Sequence, residues 1–336
     1  MKNLLYIGNK LQGLHTTVTT ISTLSNNLKK AGYNVIIASG KKNQAIRLLD
    51  MLFHIVKYRK QVDYVLIDTY STLNFYYAYL CAVFCRFLNL KYVPILHGGN
   101  LPERLKTSPK LSKAIFKNAA VNIAPSLYIK SIFEDFGFVN ITCIPNFIDI
   151  ETYCFKKREF KKVKLLWVRS FSKIYNPLLA VKVVKALKDV NIEATLCMVG
   201  PDKDGSLQAT KKLAKKLHVD VKFTGKLSKE AWITLSKDYN IFINTTNFDN
   251  MPVSVIEAMA LGLPVISTQV GGMPFLIEDG VDGILVKSND EAAFVKAIKT
   301  LMSQEDKTKK IAELARKKVE NFDWEVVKKQ WLNVLS

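Results

Sequence analysis

The stretch Ile241–Gly283, IFINTTNFDNMPVSVIEAMALGLPVISTQVGGMPFLIEDGVDG, decides how the rest of the chain is read. Its apolar opening, Ile241–Asn244, predicts a buried strand that breaks into a polar loop. Pro252 and Ser254 then form a start signal, and a helix is expected over Ser254–Leu261. Gly262 and Pro264 punctuate its end before a second short strand at Val265–Ile266. A strand, loop, helix, strand unit of this kind presents a helix N-terminus at the carboxyl end of a buried strand. Main-chain N–H groups and the helix dipole favour an anion there, so the loop is a natural phosphate seat. Two carboxylates frame it, Asp249 before the helix and Glu257 inside it. A carboxylate can accept from two hydroxyls of a ribose or hexose, which is what sugar recognition beside a phosphate requires.

The same stretch has a recognisable pattern: an acid, seven residues, Glu, then Ala-Met-Ala-x-Gly-x-Pro-Val-Ile and a Gly-Gly-x-Pro loop. It resembles the second half of retaining glycosyltransferases of the large family 4 type, glycosyl transferases group 1. That resemblance implies the α/β GT-B fold, in which two Rossmann-like, doubly wound parallel-sheet domains face a central cleft. The family usually has Glu at the first acid position. Asp249 is shorter by about one carbon–carbon bond in its reach to a donor sugar.

Composition bounds the remaining possibilities. With 336 residues and 49% hydrophobic content, the chain can bury substantial cores, and its length favours two domains over one. Five scattered cysteines, Cys81, Cys85, Cys143, Cys154 and Cys197, suggest neither a disulfide framework nor a zinc site, and reducing cytoplasm is the expected compartment. Met1–Leu5 leads directly into a strand without a secretory pattern. The apolar run Phe75–Phe84 meets Arg86 well short of the roughly 20 residues a spanning helix needs, so it is expected to be a buried helix. A net charge of +20 calls for a negatively charged partner: nucleic acid, an anionic membrane or a phosphorylated substrate. No recognised nucleic-acid motif accompanies the charge, so no specific nucleic-acid partner is expected.

Alternating strand and helix patterns run through the first half. Strands are expected at Leu4–Ile7, Tyr33–Ala38, Tyr64–Ile67, Tyr92–Leu96, Val121–Ala124 and Thr142–Ile144. Such alternation predicts a parallel sheet covered on both faces, with functional loops at the carboxyl ends of its strands. The first of these loops, Gly8–His15, has two glycines but lacks the Lys and Ser or Thr of a P-loop. A glycine-eased turn and a binding role are both open readings of it; the resemblance implies that Gly8, Asn9 and Gly13 line the cleft. His97 ends a strand and is followed by Gly98 and Gly99, which permit close backbone approach. A His-Gly here in the family lies near the donor sugar and the acceptor. On the helix opened by Ser108-Pro109, Lys110, Lys113 and Lys117 share a face, read either as solvated or as resting on an anionic membrane.

A run of five lysines and Arg158 over Lys156–Lys164 is taken as the domain boundary. This gives an acceptor-binding domain over 1–155, a nucleotide-sugar domain over 156–320, and a final helix over 321–336 that the resemblance returns towards the first domain. Strands are expected at Val163–Val168, Ala194–Val199 and Val221–Phe223. The first delivers Arg169 and Lys173 into a crevice where a diphosphate would find charge-assisted bonds. Asp202-Lys203-Asp204 has the form of a metal-binding pair, but lies in a Gly-Pro loop of a different architecture and is set aside.

Taken together, the resemblance implies transfer of a hexose or hexosamine from a UDP- or GDP-linked donor to a saccharide or lipid-linked acceptor in cell-surface polysaccharide assembly. No metal or other cofactor is expected. Arg169, Lys173 and the helix start at Pro252, Val253 and Ser254 would hold the diphosphate, and Glu257 the ribose. Asp249, Asn250 and Met251 would hold donor hydroxyls, Thr224 and Gly225 the nucleobase, and His97 would stand by the reacting centre. The enzyme is expected to be peripheral on the inner face of the membrane. The alternative is a catalytically inactive subunit that kept the fold and the nucleotide-sugar site. A glycosidase is disfavoured, because its two carboxylates flank one bond whereas Asp249 and Glu257 share one loop and helix.

Overall fold

The computed structural model describes residues 1–10 and 20–336, so Gly13 and His15 lie outside the described residues. The chain forms two compact units, Met1–Pro145 with Val327–Ser336, and Asn146–Val326. The division therefore falls earlier than the lysine-rich run suggested. Residues after Pro145 are tied to the second unit by specific bonds: the Asn146 amide donates to the Met251 carbonyl at 3.1 Å, and Ile148 N to the Phe322 carbonyl at 3.0 Å. Arg158, inside the basic run, is buried and donates to the carbonyls of Ser236, Tyr239 and Leu261. Charge composition marked a solvated stretch of the second unit rather than its edge.

Among the described residues the first unit holds six strands: β1 (Asn3–Ile7), β2 (Asn34–Ala38), β3 (Tyr64–Thr69), β4 (Tyr92–Leu96), β5 (Asn122–Ala124) and β6 (Ile141–Cys143). All neighbours pair in parallel, in the order β2-β1-β3-β4-β5-β6. The continuous apolar runs follow from this topology, because helices cover both faces and the central strands need not face water. All six residues of β3 are buried. The helix Asn74–Phe87 contributes Phe75, Ala78, Cys81, Ala82 and Cys85 to that core. Among the described residues no helix is long and apolar enough to cross a membrane.

The second unit repeats the plan with β7 (Val163–Val168), β8 (Ala194–Val199), β9 (Val221–Gly225), β10 (Ile241–Asn244), β11 (Val265–Thr268) and β12 (Ile284–Val286). Their order is β12-β11-β10-β7-β8-β9, again parallel throughout. In each unit the chain reverses its direction of winding once, between β1 and β3 and between β7 and β10. Loops leaving adjacent strands there turn to opposite sides and open a crevice at the carboxyl edge. Of the described residues singled out from sequence, Gly8, Asn9 and His97 follow strands of the first sheet, and Arg169 and Asp249 lie in loops that follow β7 and β10 of the second.

Candidate functional site

In the second unit, β7 delivers Arg169 and β10 delivers Asp249, from the two strands of the switch point. The Arg169 guanidinium forms an ion pair with Asp249 Oδ2 and lies over the Tyr175 ring, 4.3 Å from its centroid. Asp249 Oδ1 accepts from the Asn250 N–H at 2.9 Å. Close backbone contact holds the main chain of both residues from behind. Gly200 lies so close to the Arg169 carbonyl that a Cβ would fall 1.8 Å from its oxygen, and a Cβ on Gly271 would fall 2.1 Å from the Asp249 oxygen. The Gly-Gly-x-Pro loop therefore backs the acidic loop: Gly272 N donates to the Asp249 carbonyl at 2.9 Å.

The loop after β10 also holds the cationic loop in place. Thr245 Oγ1 bonds the carbonyls of Tyr175 and Asn176, Thr246 Oγ1 that of Ile174, and the Asn247 amide that of Lys173. Lys173 itself is exposed on a short 3-10 turn, with its backbone N–H bound to Asp204. Asp202 and Asp204 spend their carboxylates on neighbouring N–H and hydroxyl groups, and these bonds, led by the Ser206 hydroxyl, hold Asp204 down to about 2. They shape a loop, as a Gly-Pro context suggests.

The helix at this edge runs Val253–Ala260 and starts from Pro252, which supplies no capping side chain. Ser254 does not cap it either. Its hydroxyl is enclosed in the first turn without a hydrogen-bond partner, and the Arg169 Nε is likewise buried and unpartnered. Unsatisfied donors of this kind are rare and costly unless something binds them. Together with the uncapped helix start they form a seat for an anion. Deeper along the helix, Glu257 is 4% exposed. Its Oε1 accepts from the Tyr153 hydroxyl at 2.7 Å and pairs with the Lys229 ammonium. Burial, reinforced by the Glu257 charge, raises the Tyr153 phenol well above its usual range, so it remains a donor. Thr224 and Gly225 end β9, where Gly225 turns with φ +70° and accepts from Gly200 N at 2.8 Å. Met251 is buried beside Pro252.

In the first unit, Gly8, Asn9 and His97 stand at the ends of β1 and β4, around Asp68 of β3. Asp68 Oδ1 accepts from the Tyr6 hydroxyl at 2.8 Å and lies 2.8 Å from His97 Nε2. The His97 and Asp68 side chains are 8% and 3% exposed, and Tyr70 stacks on the imidazole at 5.4 Å. An ionised carboxylate only accepts, so the proton belongs on Nε2 and Nδ1 is left as the basic nitrogen. A Cβ on Gly8 would fall 2.5 Å from Asp68 Oδ2, and one on Gly98 would fall 2.6 Å from Ser71 N. Buried Arg47 donates to Asn9 Oδ1 at 3.0 Å and to the Lys41 and Lys42 carbonyls. A pocket lined by Gly8, Asn9, Asp68, Tyr70, Asn74 and Tyr77 adjoins this network.

The family model described as Glycosyl transferases group 1 matches residues 149–318, just over half of the chain. The chain belongs to that family. It is 26% identical over 317 residues to an uncharacterized glycosyltransferase of Methanocaldococcus jannaschii, covering 87% of this chain and 79% of that protein. It is 28% identical over 260 residues to the N-acetyl-alpha-D-glucosaminyl L-malate synthase of Bacillus anthracis, covering 72% and 66%. Among solved structures, sucrose-phosphate synthase of Thermosynechococcus elongatus superposes with a TM-score of 0.82 at 15% identity, over 99% of this chain and 98% of its own. Anabaena HepE, solved with UDP and glucose, superposes at 0.78 and 17% identity, over 100% and 99%. These likenesses concern the fold, which is GT-B.

The two edges of this group 1 glycosyltransferase also hold residues that its sequence did not single out: Tyr6, Asp68, Tyr70 and Arg47 in the first unit, and Tyr153, Tyr175 and Lys229 in the second. One signal was available for Lys229. It opens the helix Lys229–Ser236, where a cation opposes the helix dipole and therefore needs another reason to be there. Asp68 can be tested directly. Asp68→Asn keeps an acceptor for Tyr6 but no longer dictates which nitrogen of His97 holds the proton. Turnover is expected to fall roughly tenfold to a hundredfold, with donor KM nearly unchanged and folding intact by circular dichroism. Parental kcat in this variant would reduce the network to packing.

Proposed function

We propose that the chain is a retaining transferase that moves a hexose or hexosamine from a nucleotide diphosphate sugar to a saccharide or lipid-linked acceptor. The observation that supports this best is the anion seat at the second unit's switch point. There the Arg169 guanidinium, with its unpartnered Nε, sits at the same edge as the uncapped start of the helix Val253–Ala260. A leaving diphosphate gains charge as the glycosidic bond breaks, and preorganised donors stabilise it without having to reorganise. Lys173, exposed on the adjoining loop, adds a second cation. Asp249 and the backbone of Asn250 and Met251 take donor hydroxyls, Glu257 takes the ribose, and Thr224 and Gly225 border the base. His97, fixed by Asp68, serves the transfer step.

A UDP-linked donor is favoured over a GDP-linked one because HepE was solved with UDP and with UDP-glucose. An acceptor carried at an anionic membrane, in surface polysaccharide assembly, suits the +20 charge. The test is a thermal-shift panel of UDP, GDP, ADP and their sugars, followed by a transfer assay on the stabilising donor and the anomeric configuration of its product. A bound nucleotide raises apparent stability with occupancy, whereas an inactive subunit would bind and turn nothing over. Because cations already neutralise the diphosphate, transfer is expected to continue in excess EDTA. Activity abolished by the chelator and restored by Mg²⁺ or Mn²⁺ would sink the metal-free part of the proposal.

A further inference from the structure

Helices on a doubly wound sheet bury one face and offer a polar one to water. The helix Gln44–Tyr58 in the first unit departs from this rule. Arg47, Met51 and Ile55 make its buried stripe, yet Ile46, Leu49, Phe53 and Val56 stand exposed, Leu49 at 65% and Phe53 at 59%. Spaced three, four and three residues apart, these four lie along one narrow arc of the helix. Cations border both ends of the helix. Lys41 and Lys42 precede it, Lys57 lies in its last turn, Arg59 and Lys60 follow, and all five are exposed. Its single acid, Asp50, sits beside His54, 3.6 Å from Nδ1. The Lys57 ammonium lies over the Phe53 ring at 5.9 Å, so its stem follows the apolar arc while its charge stays at the margin.

We infer that this face docks the first unit on an anionic lipid bilayer, with Leu49 and Phe53 entering below the headgroups and the bordering cations pairing with lipid phosphates. An apolar arc with cationic margins matches the layered chemistry of such a surface, which is anionic outside and hydrocarbon beneath. A second copy of the chain is a poor match. Joining two copies through the same face would bring two sets of these five cations together, in a chain whose net charge is already +20. The basic patch expected at Lys110, Lys113 and Lys117 is exposed as well, but Leu111 and Ile115 beside it turn into the core. That patch offers charge without insertion. The inference rests on the membrane setting proposed above and not on the transfer chemistry.

The experiment is co-sedimentation of the full chain with phosphatidylcholine vesicles, with and without phosphatidylglycerol. The parent is compared with the double variant Leu49→Ser, Phe53→Ser and with the triple Lys→Glu variant at 110, 113 and 117. The parent is expected to sediment with the anionic vesicles only, and the double variant to lose at least about tenfold in partition while keeping parental circular dichroism and melting. Phe53→Trp should shift its emission to the blue on those vesicles. A double variant that binds like the parent overturns the assignment of this face alone. A parent that ignores anionic vesicles removes the membrane setting too. A dimer of the parent that the double variant dissolves, seen by sedimentation velocity, would replace the bilayer with a second copy.

Discussion

Arg169→Ala is expected to lower kcat by roughly two to three orders of magnitude, the cost of removing one preorganised donor from a developing anion. The side chain is well fixed for such a role. Tyr175 lies against one face of the guanidinium, Gly200 lets the backbone approach from behind, and the ion pair with Asp249 sets its direction. Arg169→Lys should recover little, because an ammonium has neither the planar fork nor the stacking surface. Donor KM should rise less than kcat falls, since the diphosphate carries more charge in the transition state than in the bound sugar nucleotide. Removing Asp249 acts differently. Asp249→Ala frees the guanidinium but deletes the contact proposed to donor hydroxyls, so turnover should fall while affinity for the free nucleotide holds. A kcat of Arg169→Ala within about threefold of the parent's would place the diphosphate elsewhere and end the proposed role of this edge.

How much of this could be read from the chain follows from what each feature depends on. Strand β7 was found at its observed bounds because Val163–Val168 is a short apolar run ended by a cation, a pattern set locally by burial on both faces. Arg169 was then legible as a strand-end residue and Asp249 as the acid just before the helix. Their pairing was not, since it depends on β7 and β10 lying side by side, with two strands, β8 and β9, between them in sequence. The run at β3 was expected to stop at Ile67, because Asp68 and Thr69 look like the start of a loop. The strand continues, since Tyr6 and His97 satisfy the Asp68 carboxylate inside the sheet, a compensation visible only after folding. The expected boundary at the basic run failed for a related reason. Composition reports solvent exposure, whereas unit membership is set by bonds such as those of Arg158 to carbonyls far along the chain.

Glu257→Ala should weaken nucleotide binding by about tenfold to a hundredfold and cost about 1–3 kcal/mol of stability, and the two losses have separable origins. The stability term arises because Tyr153 stays buried while its hydroxyl loses the acceptor 2.7 Å away. Lys229, by contrast, is 49% exposed and returns to water, so the broken ion pair adds little. Tyr153→Phe isolates the first term: it removes the donor instead of the acceptor, leaving Glu257 with Lys229 and the site otherwise intact. That variant is expected to melt lower than the parent yet bind nucleotide nearly as well. The binding term arises from the carboxylate itself. In the proposed complex, lone pairs not used by Tyr153 and Lys229 accept from ribose hydroxyls, an anchor present in both ground and transition states. Saturated turnover should therefore suffer less than affinity in Glu257→Ala, the reverse of the Arg169 result. Calorimetric titration of UDP into parent, Glu257→Ala and Tyr153→Phe checks this. If the two variants bind UDP equally well while both melt lower, Glu257 is a buried structural acid and the ribose is held by other groups.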